Sequence, residues 1–317
     1  SSSSPVATPS CPCRRRAATV ETPATTGPAD AAVGVTIVFR DDEYVAIDKA
    51  PDLRIDGGRH GEYADEPNAA ALLHRTLGAT DPAKKMRHCH QLDYATSGVM
   101  LYAATKAACA RANRLFEARA VRKRYLALVV GRPDVLIERG GATTVDSPVC
   151  QDPAHEFRMM LGDRDAVWPA GVDRRDIDAA SGTTTKAADE ASSSSSSHRK
   201  RRRHSGPATT RVSLLASGSY RGRPVAKLLL EPTTGRRHQL RLHCLHIGHP
   251  IVGDATYADD LDAPRMMLHA WDLALPFDDR PPLRIHTPDP FLPDRLPGLE
   301  LDDELEMGES RIIRGPS

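Results

Sequence analysis

The strongest constraint on the fold is a rhythm. Short apolar runs recur from Thr36 to Phe277, and tight turns rather than helices separate most of them. Thr36-Ile37-Val38-Phe39 and Tyr44-Val45-Ala46-Ile47 flank an Arg-Asp-Asp-Glu turn and read as two short strands. Val99–Ala104, Val121–Val130, Arg211–Ala216, Val225–Leu230, Met266–His269 and Leu273–Phe277 give further strand signals. Helical spacing appears at Ala69–Leu77, with Asn68 as its cap, at Lys106–Arg119 and at Arg237–Ile247. Strands that follow strands predict an α+β fold with mainly antiparallel sheets, because a doubly wound parallel sheet needs a helix between successive strands. Aromatic residues are 4% of the chain against 40% hydrophobic residues overall, so the core is expected to be aliphatic.

At 317 residues the chain suits one large domain or two small ones. Residues 1–33 are mostly Ser, Pro, Ala and Thr, too poor in large apolar side chains to offset the entropy of ordering, and they are expected to be disordered. Arg14-Arg15-Arg16 among Ser and Ala gives this segment a weak likeness to an organelle transit peptide; a solvated tail is the plainer reading. Residues 34–290 are read as one domain. Residues 152–209 interrupt it with six serines at Ser192–Ser197 and the basic run His198–His204, and are expected to be a low-complexity insertion. Residues 291–317, with the acidic stretch Glu300–Glu309, are expected to form a C-terminal tail. The compartment stays open among cytoplasm, nucleus, mitochondrion and plastid.

The net charge of +1 neither favours nor excludes nucleic acid, but basic residues crowd into Arg111–Arg124, His198–His204 and Arg236–His243. No apolar run approaches the roughly 18 residues that span a membrane. The six cysteines include no CxxC pair, so neither a zinc ribbon nor a disulfide framework is suggested. His243, His246 and His249 have helical spacing, but Gly248 and Pro250 end the helix there and no acidic or Cys ligand accompanies them at ligand spacing, so no metal is expected. No organic cofactor is implied either.

The stretch most suggestive of chemistry is His90-Gln91-Leu92-Asp93-Tyr94-Ala95-Thr96-Ser97-Gly98. It sets one carboxylate, Asp93, in a turn just ahead of the apolar run Val99–Ala104. An acid at the mouth of a buried strand can have its charge state set by burial and by its neighbours. By composition alone, an aspartate bonding its own turn is the commoner fate of such a residue, and the spacing by itself is a weak signal.

This stretch resembles the HRLDxxTSG signature of the RluA-type pseudouridine synthases. Lys123-Arg124-Tyr125-Leu126-Ala127-Leu128-Val129-Val130-Gly131 resembles that family's KxYxAxVxG strand. Thr234-Gly235-Arg236-Arg237-His238-Gln239-Leu240-Arg241-Leu242-His243 resembles its TGRxHQIRxH motif, continuing through Gly253-Asp254 to Tyr257. Met267-Leu268-His269-Ala270 resembles its LLLHA strand. The matches keep the family's order over residues 34–290, interrupted by the insertion.

The resemblance implies an RNA-modifying enzyme without metal or cofactor, with two antiparallel sheets side by side, a central catalytic cleft and flanking helices. Asp93 is then the nucleophile and Arg241 the cation against it, expected to lower the carboxyl pKa. Tyr125 stacks on the target base and is a candidate acceptor for the proton on C5. Leu268 walls the pocket and His238 orients the Arg241 segment. The family's usual Arg, which contacts RNA near the flipped base, is here Gln91, a hydrogen-bonding group without charge. Gln91, together with Thr287–Pro293, resembles one eukaryotic branch of the family. The expected partner is transfer or ribosomal RNA, bound by a monomer with no membrane association. A silent RNA-binding or ribosome-assembly protein on the same fold is the alternative.

Overall fold

The structure is a computed structural model. It describes residues 34–58, 63, 65–78, 86–133, 136, 140–152, 155, 157–162 and 206–302. The expectations for 1–33, for Ser192–Ser197 and His198–His204, and for 303–317 lie outside the described residues.

The first half of the sheet contains β1 (Val35–Arg40), β2 (Tyr44–Lys49), the two-residue β3 (Arg87–His88) and β4 (Ser97–Ala103), paired antiparallel. All seven residues of β4 are buried, which explains its unbroken apolar sequence. Two helices belong to this half, α1 (Ala69–Thr76) and α2 (Lys106–Glu117). Asn68 caps α1, its side chain accepting from Ala71 N–H at 2.9 Å; Thr105 caps α2 through Ala108 N–H at 3.1 Å. Both helices end slightly earlier than their spacing suggested.

In the second half, β5 (Arg122–Val130) pairs antiparallel with a later strand. β6 (Ala142–Asp146) lies on the same sheet, while β7 (Val149–Gln151) and β8 (Met159–Leu161) form a small hairpin of their own. β9 (Thr209–Tyr220) and β10 (Arg223–Pro232) follow as a long hairpin, with β10 against β5. Then come α3 (Gln239–His246), β11 (Leu268–Leu275), β12 (Leu283–His286) and β13 (Leu299–Leu301). β11 pairs antiparallel with β5 and β12, and β13 with the edge of β9.

The halves meet where β4 and β11 run parallel, His269 facing Ser97 and Ala270 facing Gly98. The other strand pairs among the described residues are antiparallel. The two sheets expected side by side are thus present, and this seam fuses them into one eleven-stranded sheet. Gly98 makes the seam possible. It sits at φ +109°, and a Cβ there would lie 2.2 Å from Ala270 O.

Several expectations need correction. Met266–His269 and Leu273–Phe277 are not separate strands but parts of, or flanks to, the single β11. Its register shifts between Ala270 and Asp272, which breaks the period-two alternation. Arg237 and His238 are not helical, because His238 adopts a left-handed backbone at φ 56°. The 152–209 stretch is not irregular throughout, since Met159–Leu161 pairs with Val149–Gln151 and Gly206 bridges Val149. Residues 291–302 are not a tail. Phe291 and Leu299 are buried in the core and β13 extends the sheet, because isolated large apolar residues in a Pro-rich stretch still have a face to cover.

Candidate active site

Strand register gathers the site. β4 begins at Ser97, so residues 91–96 form a lip at the N-terminal end of the parallel seam. β11 begins beside it at Leu268, and Tyr125 on β5 faces Ala270. Residues far apart in sequence therefore converge at one end of two adjacent strands. They open onto a cavity of about 1500 Å³ lined by Asp93, Tyr125, Arg241, Gln91, Leu268 and His238, all six of the residues singled out from the sequence. Ordinary small-molecule pockets are about 300–1,000 Å³, so the cleft has room for more than one compact ligand. Arg119, Lys123, Arg158, Arg236 and Arg237 also border it, giving it a basic rim.

Arg241 is 7% exposed and lies on α3, a helix in which seven of eight residues are buried. Such a helix is unfavourable unless its polar groups are partnered. Arg241 Nε and Nη2 donate to the two carboxylate oxygens of Asp254 at 2.8 and 2.7 Å, a fork that fixes the guanidinium plane. The remaining nitrogen, Nη1, lies 3.9 Å from Asp93 Oδ2. Asp254 is itself held by the N–H groups of Thr256 and Tyr257 at 2.9 and 3.1 Å. The Tyr257 ring lies 4.9 Å from the Arg241 guanidinium carbon.

Burial pushes the Asp93 carboxyl above its ordinary value. Arg241 and Arg237 oppose that rise, and Asp254 adds to it. This corrects the expected direction: the guanidinium limits the rise but does not overcome desolvation. The Asp93 side chain keeps 25% of its surface, so the cleft still reaches it. Lys49, at the end of β2, steadies the loop. Its buried ammonium donates to the carbonyls of Ala50, Leu53 and Tyr94 at 2.8, 2.9 and 3.0 Å. Burial pulls Lys49 down to about 8, with Asp52 and Asp93 among the charges that oppose the fall.

Burial and, after it, the charge of Asp93 push the Tyr125 phenol well above its usual value. Tyr125 is therefore protonated in the free site, which weighs against a ready phenolate acceptor. His238 Nδ1 lies 2.8 Å from Tyr257 Oη, and burial followed by Arg241 pulls the ring down to about 3, leaving it neutral. Tyr257 thus lies between His238 and the Arg241 guanidinium. His243 has both ring nitrogens within hydrogen-bond distance of protein oxygens, Thr210 Oγ1 at 2.8 Å and Ser147 O at 3.0 Å.

Sequence reasoning left Asp254 and Tyr257 without roles although both stood inside a matched motif. A fork across a Gly-Pro turn has no periodic signature. Lys49 was missed because a lysine at a strand end reads as a solvated charge.

Residues 43–246 match the RNA pseudouridylate synthase family. Zebrafish (Danio rerio) RNA pseudouridylate synthase domain-containing protein 1 is 34% identical over 263 residues, covering 82% of this chain and 76% of that protein. The dual-specificity RNA pseudouridine synthase RluA of Escherichia coli is 30% identical over 239 residues, covering 74% of this chain and 84% of its own. The structure of human RNA pseudouridylate synthase domain containing 1 superposes with a TM-score of 0.62 at 29% identity, covering 86% of this chain and 91% of that one.

Proposed function

The chain belongs to the RNA pseudouridylate synthase family, and we propose that it isomerises uridine in transfer or ribosomal RNA with Asp93 as the nucleophile. The observation that carries this reading is the approach of Arg241 Nη1 to Asp93 at 3.9 Å, at a cleft open enough for RNA. The target uridine must leave its stack to reach this depth, which is easiest in loops and bulges.

In this reading an Asp93 oxygen bonds to the ribose C1′ as the C1′–N1 bond breaks, and the freed uracil keeps the electron pair. The base then turns within the site. Its C5 bonds to C1′ while Asp93 departs with its own electron pair. The proton lost from C5 is matched by the one gained at N1, so no net acid or base is consumed. Arg241 stabilises the carboxylate before attack and after release. Tyr125 and Leu268 form walls for the turning base, and His238 keeps Tyr257 against Arg241. Gln91, exposed on the lip, offers amide hydrogen bonds where the family's arginine would add charge. All of these residues come from one chain, so the proposed chemistry calls for no residue of a second copy. A silent binding protein is not favoured, because Asp93, Tyr125 and Arg241 all line one cavity.

The test compares wild type with Asp93→Asn and Asp93→Ala on bulk transfer and ribosomal RNA. Pseudouridine formation should fall by at least about a thousandfold, while RNA binding persists. Retained isomerisation in either variant would remove Asp93 from the nucleophile's role.

A further inference from the structure

Three large apolar side chains are exposed among the described residues, namely Tyr94 at 51%, Phe157 at 64% and Leu261 at 78%. Exposed apolar residues scattered singly need no explanation. These three are not scattered, for all of them line the one cleft that contains Asp93. Two are aromatic, and each has a guanidinium beside its ring. Arg54 lies 5.4 Å from the centre of Tyr94, and Arg237 lies 5.8 Å from the centre of Phe157.

The surroundings fix one ring more firmly than the other. Arg54 also lies 3.4 Å over the Tyr63 ring and donates to Glu66 at 2.6 Å, so the group behind Tyr94 is held from two sides. The backbone beneath Tyr94 is anchored by Lys49. Phe157 belongs to the turn between β7 and β8. Tyr257 Oη holds that hairpin at Met159, accepting from its N–H at 3.0 Å and donating to its carbonyl at 3.1 Å. The rings come from different halves of the fold, Tyr94 from the lip before β4 and Phe157 from beside Arg237 in the segment leading into α3. Asp93 lines the same cleft and is less exposed than either ring.

An exposed ring with a guanidinium over one face, as at Tyr94 and Phe157, brings together the two groups that unstacked nucleotides require. The ring face takes a base of any sequence, and the guanidinium takes a phosphate. We propose that Tyr94 and Phe157 are stacking platforms for the two bases that flank the everted uridine, one on each side of the cleft. The site would then take uridines whose neighbours are also unpaired and reject the same sequence in a duplex. This rests on the reading of Asp93 given above, since it presumes that a uridine enters between the rings.

The probe is a short single-stranded RNA with one uridine in a run of cytidines. A second version has abasic ribose on both sides of the uridine. Binding is read by fluorescence anisotropy at fixed salt. Tyr94→Ala and Phe157→Ala should each weaken binding of the base-bearing RNA roughly tenfold. Neither should weaken the abasic version, which wild type already binds less tightly. Tyr94→Phe and Phe157→Tyr keep a ring and should keep affinity. Equal losses on both RNAs, as from a basic rim disturbed or an apolar patch meant for a protein, would overturn the platforms, and so would no loss on either. Isomerisation of transfer and ribosomal RNA by the same wild-type protein answers a different question. Wild type that binds the base-bearing probe yet leaves the uridines of transfer and ribosomal RNA unchanged would sink the Asp93 chemistry and leave the binding comparison intact.

Discussion

At the scale of single residues, the role proposed for Asp93 opposes stability. Its carboxyl is raised in the fold relative to the unfolded chain, so folding prefers the protonated form. Below the unfolded value near 3.8 the acid is neutral in both states and costs nothing. As pH rises through the folded value, ionisation costs stability, and the cost is fully present above it. Asp93→Asn mimics the neutral form, so this variant should melt higher than wild type at neutral pH, with the gap closing in acid. A melting series by circular dichroism checks this, and a variant that melts lower at neutral pH would contradict it. In the proposed chemistry activity runs the other way, because a carboxyl that attacks must be ionised. Pseudouridine formation should decline in acid from a pH above the ordinary carboxylate range, and Arg241→Leu should shift that decline to higher pH, since Arg241 is the largest opposing influence. The identity of these residues was legible because short motifs mark them. Their ionisation was not, because the balance of burial against Arg241 depends on depth, which the sequence does not carry.

At the scale of elements, the decisive feature is the parallel seam. Most strands were legible from alternation, but β11 read as two signals because its bulge inverts the facing of residues past Ala270. The short β3, β6, β7, β8, β12 and β13 gave little periodic signal, since two to five residues hardly establish one. That β4 lies beside β11 had no local signal at all, for 172 positions separate the facing residues and the choice depends on how the halves close. Gly98 is the residue on which that pairing turns. Gly98→Ala combines a left-handed φ of +109° with a Cβ 2.2 Å from a backbone oxygen that cannot swing aside. A loss of more than about 3 kcal/mol is expected, from strain together with the parting of the strands. Urea unfolding of the variant measures it. A loss under about 1 kcal/mol would mean that the seam tolerates separation and that Asp93 and Leu268 are held together by something else.

At the scale of the whole molecule, the segment after β12 braces the seam from behind. Lys227, buried on β10, pairs with Asp289 at 2.5 Å and so fastens residues 287–291 to the second half. Thr287 Oγ1 lies 2.8 Å from His269 Nε2, and His269 Nδ1 lies 2.8 Å from Ser97 Oγ, which also accepts from Arg265 at 2.6 Å. This polar chain crosses from the C-terminal segment through β11 to the first residue of β4, four positions after Asp93. Phe291 packs against it, edge-on to His269 at 6.4 Å and beneath Arg265 at 5.7 Å. Its Pro-rich surroundings concealed this role, because one phenylalanine among prolines and aspartates has no periodicity to mark it as core. Phe291→Ala should cost about 3–5 kcal/mol, as for other fully buried phenylalanines. It should also slow isomerisation under conditions where the protein remains folded, since the brace reaches the strand that presents Asp93. Unfolding and single-turnover rates measured together separate the two effects. A variant that is destabilised but turns over normally while folded would make the C-terminal segment a covering for the core, without influence on the lip where the chemistry is proposed.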